Sequence, residues 1–287
     1  MYLMTPPIIG AHVSAAGGLP KAVQRAGNIG ATAVQIFASP PQSFNAPAHT
    51  DESIATFNNG ITGNGHGPVF IHAIYLINLA SPNPASLDRS IASLTATMNF
   101  ASKIKSSGLI FHTGSSLGAE FASVRQQIAT ALVAILDNSP EDSYLLIENA
   151  AGQGNAIGKN FSEIGALIKD VGSSRFKACL DTQHSFASGY DLRNKEGVDR
   201  LLSEWDQEVG LTNLRCLHVN DSKTECGSNR DRHENIGQGL MGEQAFQLLA
   251  QDELLSSLPW ILEVPGMDGK SGPDQANIDL LRKITSP

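Results

Sequence analysis

Cysteine is scarce in this chain of 287 residues, which carries only Cys179, Cys216 and Cys226. They do not form the closely spaced pairs that build zinc ribbons or disulfide frameworks, so we expect reduced thiols. Cys179 and Cys216 each precede a candidate ligand, Asp181 and His218, by two positions. Strand alternation turns residues two apart to the same side, so we interpret both cysteines as small interior side chains without a catalytic role.

Long apolar runs are also missing. No run approaches the roughly 20 residues needed to span a bilayer, so no membrane segment is predicted. The first residues, MYLMTPPIIGAHVS, lack a basic region followed by an apolar one, and we therefore expect no secretory signal and a cytoplasmic location. The composition, 41% hydrophobic and 17% charged, is typical of a globular protein.

Positive charge is in deficit, with a formal net charge of -8 at pH 7. This argues against a polyanionic ligand, because nucleic-acid-binding proteins usually carry a basic surface. Bound divalent metal ions would weaken the objection, since three of them would offset most of the deficit and concentrate positive charge in one place.

Short apolar runs recur along the chain at intervals of roughly 25 to 45 residues, each followed by a stretch of helical character. The eight runs are IIGAHVS from Ile8, AVQIFA from Ala33, VFIHA from Val69, LIFHTG from Leu109, YLLIENA from Tyr144, KACLDTQH from Lys177, LRCLHVND from Leu214 and WILEVPG from Trp260. No Pro-rich or Ser-rich linker separates them. The pattern predicts one α/β domain over residues 1–287, a single (β/α)8 TIM barrel; an open doubly wound sheet is the alternative.

Helix signals between the runs support this alternation. We expect Pro20 at the first position of the first helix. In the third helical stretch, apolar residues recur every three or four positions, which is typical of a face packed on the core: Leu87, Ile91, Leu94, Met98 and Ala101.

Histidines and carboxylates follow the predicted strands three to eight and occupy the long polar loop after strand seven. The nine candidate ligands are His72, His112, Glu148, Asp181, His184, His218, Asp231, His233 and Glu263. The carboxyl ends of barrel strands are where the chemistry of such enzymes is found. Imidazole and carboxylate together favour zinc or a neighbouring first-row metal, and nine ligands suffice for two or three ions.

The sequence contexts favour ligation over structural roles. His72 and His112 end successive strands, and Glu148 ends a very apolar one, where an unpaired carboxylate would be costly to bury; a bridging role would satisfy it. Asp181 and His184 are three apart, although an Asp that starts a helix beside a surface His is the alternative.

The end of strand seven and its loop add further candidates. Asp231 and His233, one residue apart in an extended loop, would face the same side. Asp221 is expected to hydrogen-bond the ligand side chains without binding a metal ion itself.

Two other motifs offer weaker alternatives. Gly114 to Gly118 fits G-x-S-x-G, the nucleophile elbow of serine hydrolases, but that interpretation leaves the strand-end histidines unexplained. Gly237 to Gly242 fits G-x-G-x-x-G, but a polar loop precedes it, which is the wrong setting for a dinucleotide turn.

Eight stretches in order along the chain resemble the endonuclease IV type of apurinic/apyrimidinic endonuclease. They are GAHVSAAGG at Gly10, HAIYLINLA at His72, FHTGS at Phe111, IENAAGQG at Ile147, LDTQHSFASGYDLR at Leu180, HVNDSK at His218, DRHENIGQG at Asp231 and LEVPG at Leu262. The family is similar in fold, a (β/α)8 barrel with three zinc ions, with manganese as a partial substitute, and all nine ligand positions are filled here.

The resemblance implies how the ligands divide among the ions. The first zinc would be held by His72, His112 and Glu148; the second by Glu148, Asp181, His218 and Glu263; and the third by His184, Asp231 and His233. Glu148 would then bridge two ions.

The implied reaction is hydrolysis of the DNA phosphodiester on the 5′ side of an abasic site, with removal of 3′-blocking groups as a second activity. It would leave a 3′-hydroxyl and a 5′-deoxyribose phosphate, as one step of base excision repair. Metal-activated water would attack phosphorus, and Glu148 or Glu263 would take its proton, a choice that the sequence leaves open. A monomer acting on double-stranded DNA at the nucleoid is expected.

Some positions depart from the family pattern. The usual D-T-C-H reads D-T-Q-H here, with Gln183 in place of cysteine, and Ile74 stands where proline is frequent. Gln42 occupies the place of a basic side chain that enters the base stack in some relatives. The expected DNA contacts are Gln42, Phe44, Tyr75, Lys223, Arg230 and Arg232.

Two other functions remain as alternatives. Related barrels that isomerise or epimerise sugars bind two divalent ions near similar strand ends, and a third ion would argue against that activity. A catalytically silent protein that binds damaged DNA or stores metal is the other alternative.

Overall fold

The computed structural model describes residues 6–269 and 272–286 of the chain. Its strands are β1 (Ile9–His12), β2 (Ala33–Phe37), β3 (Val69–His72), β4 (Gly108–Phe111), β5 (Leu145–Glu148), β6 (Phe176–Asp181), β7 (Leu214–His218), β8 (Asp221–Ser222), β9 (His233–Glu234) and β10 (Trp260–Leu262). Eight of them close a parallel barrel in the order β1-β10-β7-β6-β5-β4-β3-β2, while β8 and β9 form a separate antiparallel hairpin. This confirms the TIM barrel, and each predicted run supplies one barrel strand.

The helices surround the barrel. They are α1 (Leu19–Asn28), α2 (Asp51–Gly63), α3 (Pro84–Lys103), α4 (Phe121–Asp137), α5 (Phe161–Val171), α6 (Thr182–Ala187), α7 (Lys195–Glu208), α8 (Glu243–Ala250), α9 (Glu253–Ser257) and α10 (Gln275–Thr285). Among the helices described, none combines the length and the apolar character that a membrane crossing requires.

The helices begin and pack for local reasons that the sequence contains. Asn83 caps α3 by accepting the backbone N–H of Ser86, and Pro84 fits the first turn because its missing N–H would have no helical partner. Pro20 is the second residue of α1 rather than the first. The predicted stripe of α3 packs against the core, with Leu94, Met98 and Ala101 fully buried.

The barrel interior holds two layers that explain the placement of the site. The lower layer is apolar and consists of Ala33, Phe70, Ile110, Leu146, Cys179, Cys216 and Ile261. Side chains alternate along a strand, so the residue two positions further on points to the same interior. Those residues form the upper, polar layer at the carboxyl ends of the strands: Gln35, His72, His112, Glu148, Asp181, His218 and Glu263. Cys179 and Cys216 are therefore interior side chains, as predicted.

Strand β1 contributes to the same two layers through Gly10 and, two residues further on, His12. A Cβ at Gly10 would lie 2.6 Å from Cβ of Ala33 and 2.7 Å from Cδ1 of Ile261, so the lower layer has room there only for glycine. His12 is thereby brought to the rim of the polar layer.

Candidate metal centre

The first group of converging ligands contains His72, His112 and Glu148. Nε2 of each histidine lies 3.3 Å from Oε2 of Glu148, whose side chain is fully buried. Burial alone would raise the pKa of Glu148, but the surrounding imidazoles, His112 and His218 first, outweigh it and hold that pKa well below its usual range. Glu148 is thus an anion in the barrel interior that needs cationic partners.

The second group shares that carboxylate. Donor atoms of Glu148, Asp181, His218 and Glu263 all lie within 4.8 Å of one another. Nδ1 of His218 is 2.9 Å from Oε1 of Glu148 and 3.4 Å from Oε2 of Glu263. Burial lowers the pKa of His218, but the two glutamates outweigh burial and raise that pKa to about 10. The pocket therefore strongly favours a positive charge at this position.

The third group differs slightly from the predicted set. Donor atoms of Asp181, His184 and His233 lie within 4.8 Å of one another. The predicted member Asp231 is between the two imidazoles, with Oδ2 at 3.4 Å from Nε2 of His184 and Oδ1 at 3.3 Å from Nε2 of His233. Asp181 therefore adjoins both the second and the third group, and all nine predicted residues converge at the barrel mouth.

The donor chemistry of these groups fits bound metal ions. Nε2 of His184 and Nε2 of His233 are both buried and have no hydrogen bond within the described part of the chain, although Asp231 is near. A buried polar atom without a partner is costly, and a cation would satisfy both nitrogens and the carboxylate at once. Imidazole with carboxylate is the ligand set preferred by zinc and similar metals.

Asp181 combines two roles that the sequence analysis treated as alternatives. Its side chain accepts the backbone N–H of His184 at 2.7 Å and so starts the short helix α6. The aspartate is therefore a helix cap, yet His184 is buried in the third group rather than on the surface. The helix cap and the candidate ligand are thus one side chain, at the end of β6.

Four residues that the sequence analysis missed complete the centre. Gln35 and His12 contact Glu263, with Nε2 of Gln35 at 2.6 Å and Nδ1 of His12 at 2.9 Å from its Oε1. The other two missed residues both contact Asp181. Asn149 accepts its backbone N–H, and Asn220 donates to Oδ2 of the Asp181 carboxylate at 2.7 Å. Strand alternation could have indicated Asn220, which follows the candidate ligand His218 by two residues. Gln35 is recognisable only once the register of β2 with its neighbours is known.

Asp221 is not where we expected it. Its carboxylate accepts the backbone N–H groups of Ser222, Gly239, Met241 and Gly242, and among the residues described none of its hydrogen-bond partners is a candidate ligand. Asp221 organises the Gly237–Gly242 loop instead of supporting the ligands. Because it takes the N–H groups that would otherwise cradle a phosphate, the dinucleotide alternative has no structural support.

The serine motif also lacks its required setting. Helix α4 begins at Phe121, five residues after Ser116, so no sharp turn leads directly from the strand through the serine into a helix. Oγ of the neighbouring Ser115 donates to the carbonyl of Gly154, which ties this loop to the loop after β5.

The expected DNA contacts fall into two groups. Gln42, Tyr75, Lys223, Arg230 and Arg232 are exposed, and Tyr75, 65% exposed, packs edge-on against Phe37 and lies 6.4 Å from the ring of His72. Phe44 is different because it is partly buried against the core and covered by the guanidinium of Arg89 at 5.2 Å. A base could stack on that face of the ring only after Arg89 moves away, and the DNA contact expected of Phe44 stays a prediction.

Two of the basic side chains have partners of their own. Nζ of Lys223 is 3.7 Å from Oε2 of Glu234, and Arg232 donates to the carbonyl oxygen of Asp231 at 2.6 Å. Both lie in or beside the β8–β9 hairpin, which carries His233. Leu76 next to Tyr75 is 41% exposed and adds an apolar surface that the sequence analysis did not select.

Comparisons with known proteins agree with this geometry. The family model of the xylose isomerase-like TIM barrels matches residues 23–284. A probable endonuclease 4 of Chlorobium limicola is 42% identical over 265 residues, covering 91% of each chain, and one of Halothermothrix orenii is 36% identical over 276 residues, covering 96% of this chain and 99% of the relative.

Solved structures are similar as well. Endonuclease IV from Thermus thermophilus superimposes with a TM-score of 0.84 at 29% identity, covering 97% of this chain and 98% of that one. A D-psicose 3-epimerase of Clostridium cellulolyticum, 14% identical with a TM-score of 0.68 over 97% and 95% of the two chains, shares the fold alone. The chain belongs to the endonuclease 4 family, within the xylose isomerase-like TIM barrels.

Proposed function

We propose that this protein is a metal-dependent DNA repair endonuclease that hydrolyses the phosphodiester on the 5′ side of abasic sites and also removes 3′-blocking groups. The observation that carries the proposal is the continuity of the three ligand groups, which share Glu148 and Asp181 at one open barrel mouth. Its relatives named endonuclease 4 support the same activity. The products would be a 3′-hydroxyl and a 5′-deoxyribose phosphate.

The centre would hold three zinc ions, one for each ligand group. His72, His112 and Glu148 would hold one, and Glu148, Asp181, His218 and Glu263 the next; His184, Asp231 and His233 would hold the third, with Asp181 at its edge. Bound zinc would supply water activation near neutral pH and stabilise negative charge on the phosphate. With metal present, the mouth of the barrel is locally positive despite the net charge of -8.

The protein's own residues would orient the reactants and move the proton. As the water oxygen bonds to phosphorus, the bond from phosphorus to the 3′ oxygen breaks, a carboxylate accepts a proton from the water, and the departing 3′ oxygen takes a proton from solvent to become the 3′-hydroxyl. Glu148 is fully buried, whereas the side chain of Glu263 is 15% exposed at the rim. We assign the proton acceptor to Glu263 because entering water can reach it.

Selection of abasic sites would depend on the rim around the centre. Tyr75 projects from the loop after β3 beside His72, where an exposed ring can fill the gap left in a base stack. A nucleotide without a base is cheap to extrude because it has no stacking to lose. Contacts from Lys223, Arg230 and Arg232 to phosphates would fix the position of the DNA duplex relative to the metal centre.

A nicking assay tests the proposal. The substrate is a labelled duplex with one abasic site, incubated with wild-type protein, with protein stripped by a chelator, and with the His112→Ala variant. We expect cleavage on the 5′ side of the lesion by wild-type protein only, and less bound zinc in the variant by elemental analysis. Full cleavage by stripped protein, or by the variant with intact metal content, would overturn the assignment.

A sugar epimerase is the alternative that the fold itself suggests, since similar barrels have that activity. The third ligand group, formed by His184, Asp231 and His233, would be surplus in a barrel that binds two divalent ions. Incubation of the same preparations with free ketohexoses separates the two functions, and we expect no turnover.

A further inference from the structure

Three of the five candidate histidines are oriented in the same way. In His72, His184 and His233, Nδ1 lies against a backbone carbonyl oxygen and Nε2 faces the ligand group. The carbonyl partners are those of Ala73 at 2.7 Å, Asn149 at 2.9 Å and Glu263 at 3.2 Å, respectively. Since a carbonyl oxygen only accepts, Nδ1 carries the hydrogen and Nε2 offers its lone pair.

His218 is turned the other way. Its Nδ1 faces Glu148 and Glu263, and its Nε2 lies 2.8 Å from the side-chain oxygen of Gln35. The amide oxygen only accepts, so Nε2 must carry the hydrogen and Nδ1 is the nitrogen left for a metal ion. In this imidazole the orienting partner is a side chain instead of the backbone.

The orientation of the Gln35 amide is itself determined by its neighbours. Its nitrogen donates to Oε1 of Glu263 at 2.6 Å and lies 3.0 Å from Nδ1 of His12. Rotating the amide by 180° would place its oxygen against the Glu263 carboxylate and its N–H groups against the Nε2–H of His218. Gln35 is fully buried, so no water could relieve either clash.

We propose that Gln35 is a positioning residue for the metal centre: its amide oxygen selects Nδ1 of His218 as the metal-binding atom, and its amide nitrogen holds Glu263 beside that atom. Gln35 extends from β2 across the barrel to ligands on β7 and after β10, which are distant in sequence. The inference rests on the metal centre of the proposed function, but it concerns how two ligands are oriented and not which substrate is cleaved.

Two substitutions separate the two parts of this role. Gln35→Glu keeps an acceptor for Nε2–H of His218 but replaces the donor to Glu263 by a second carboxylate. Gln35→Met has a similar length and removes both interactions. Gln127→Met is the matched control, since Gln127 is a partly buried glutamine of α4 that donates to the backbone carbonyls of Leu79 and Ser81.

The readout is the state of each histidine nitrogen in zinc-loaded protein labelled with ¹⁵N-histidine. Long-range ¹⁵N–¹H correlation spectra distinguish metal-bound from protonated nitrogen, and comparison with His218→Gln assigns the signals of His218. We expect metal-bound Nδ1 and protonated Nε2 in wild-type protein, in Gln35→Glu and in the Gln127→Met control, but mixed or exchanging nitrogens in Gln35→Met. Zinc affinity, measured by competition with a chromophoric chelator, should fall about 10- to 100-fold in both Gln35 variants and remain unchanged in the control.

The result is decisive without a cleavage assay. Metal-bound Nε2 of His218 in the wild-type protein would overturn the proposal, whether or not any variant folds. So would a folded Gln35→Met protein whose His218 spectrum and zinc affinity match those of the wild type. Failure of the proposed function would look different, since the spectra would behave as expected while an abasic duplex stayed intact.

Discussion

The carboxylate of Asp181 accepts the backbone N–H of His184 at 2.7 Å, so one candidate ligand starts the helix that carries another. Asn220 donates to the second oxygen of the same carboxylate at 2.7 Å. The distance between the second and third ligand groups is therefore determined by one side chain and not by two independent loops. This coupling explains why α6 begins at the residue immediately after β6.

Substitution of Asp181 is expected to separate its two roles. Asn caps helices about as well as Asp, so Asp181→Asn should keep α6 while losing the anionic ligand. Asp181→Ala should lose both, and its metal-free form should be less stable than that of Asp181→Asn by about 1 kcal/mol or more. Urea denaturation of the metal-free variants measures the difference, and elemental analysis should show less bound metal in both. Equal stability of the two variants would mean that the cap contributes nothing.

Gln183 links by hydrogen bonds the two segments that carry the third ligand group. Its side-chain nitrogen donates to Oγ of Ser222 at 3.1 Å and to the carbonyl of Arg230 at 3.0 Å, directly before Asp231. The residue lies next to His184 on α6, so it joins the helix carrying one candidate ligand to the loop carrying another. This gives a structural role to a position where the sequence departs from the usual family pattern.

We expect Gln183→Ala to loosen this loop without unfolding the barrel. Amide hydrogen exchange should become faster over residues 222–234 and stay unchanged in β3 and β4, and the zinc content should fall by about one ion of three. The exposed Gln207→Ala on α7 serves as control and should alter neither quantity. Retention of full zinc content together with unchanged exchange would show that the loop does not depend on Gln183.

The sequence predicts the barrel well because its repeat of strand and helix is regular and its apolar runs have little ambiguity. The nine candidate ligands could be found because His and Glu at the end of apolar strands are chemically unusual. Gln35 and His12 lie in equally interior positions, but a glutamine inside AVQIFA carries no such signal until the register with neighbouring strands is known.

Other features depended on contacts that only the folded chain defines. Phe44 stood out in the sequence as an aromatic residue in the loop after β2, yet Arg89 on α3 covers its ring. Asp221 follows His218 by three residues, but apart from the adjacent Ser222 its partners come from the distant loop 239–242. In both cases the deciding partner lies on another element, so local sequence patterns could not reveal it.

The protonation of buried histidines should make metal-free protein sensitive to alkaline pH. Burial lowers the pKa of His218, but Glu263 and Glu148 raise it more, to about 10, against an ordinary value of 6.5, and the carboxylates near His184 raise its pKa in the same way. When the folded-state pKa lies above the unfolded one, the stabilisation is complete below pH 6.5 and is lost as pH rises through about 10. Metal-free protein should therefore lose stability steadily from pH 7 to pH 9.

Zinc binds neutral imidazole, so the zinc-loaded protein should not show this decline, and proton competition for the ligands should weaken as pH rises. The difference in Tm between zinc-loaded and chelator-treated protein is expected to widen between pH 7 and pH 9. In His218→Gln, the part of the decline due to this residue should disappear. A difference in Tm that stays constant or narrows over this range would contradict the raised pKa of His218.

Tyr75 and Phe44 offer a matched test of how the rim meets DNA. Tyr75 is 65% exposed beside the centre, whereas Phe44 is packed between the core and Arg89. Because base–aromatic stacking contributes about 1–3 kcal/mol, Tyr75→Ala should weaken binding to an abasic duplex by about 5- to 150-fold, and Tyr75→Phe should restore most of it. Fluorescence anisotropy with labelled abasic and undamaged duplexes measures both affinities.

Phe44→Ala should behave in the opposite way. Removing a partly buried ring is expected to lower the Tm while leaving the affinity for the abasic duplex within about threefold of the wild type. Affinity must be measured below the Tm of each variant so that unfolding does not imitate a binding defect. A binding loss confined to Phe44→Ala, with Tyr75→Ala unchanged, would reverse the two roles, because the covered ring would then have to leave Arg89 to reach the DNA.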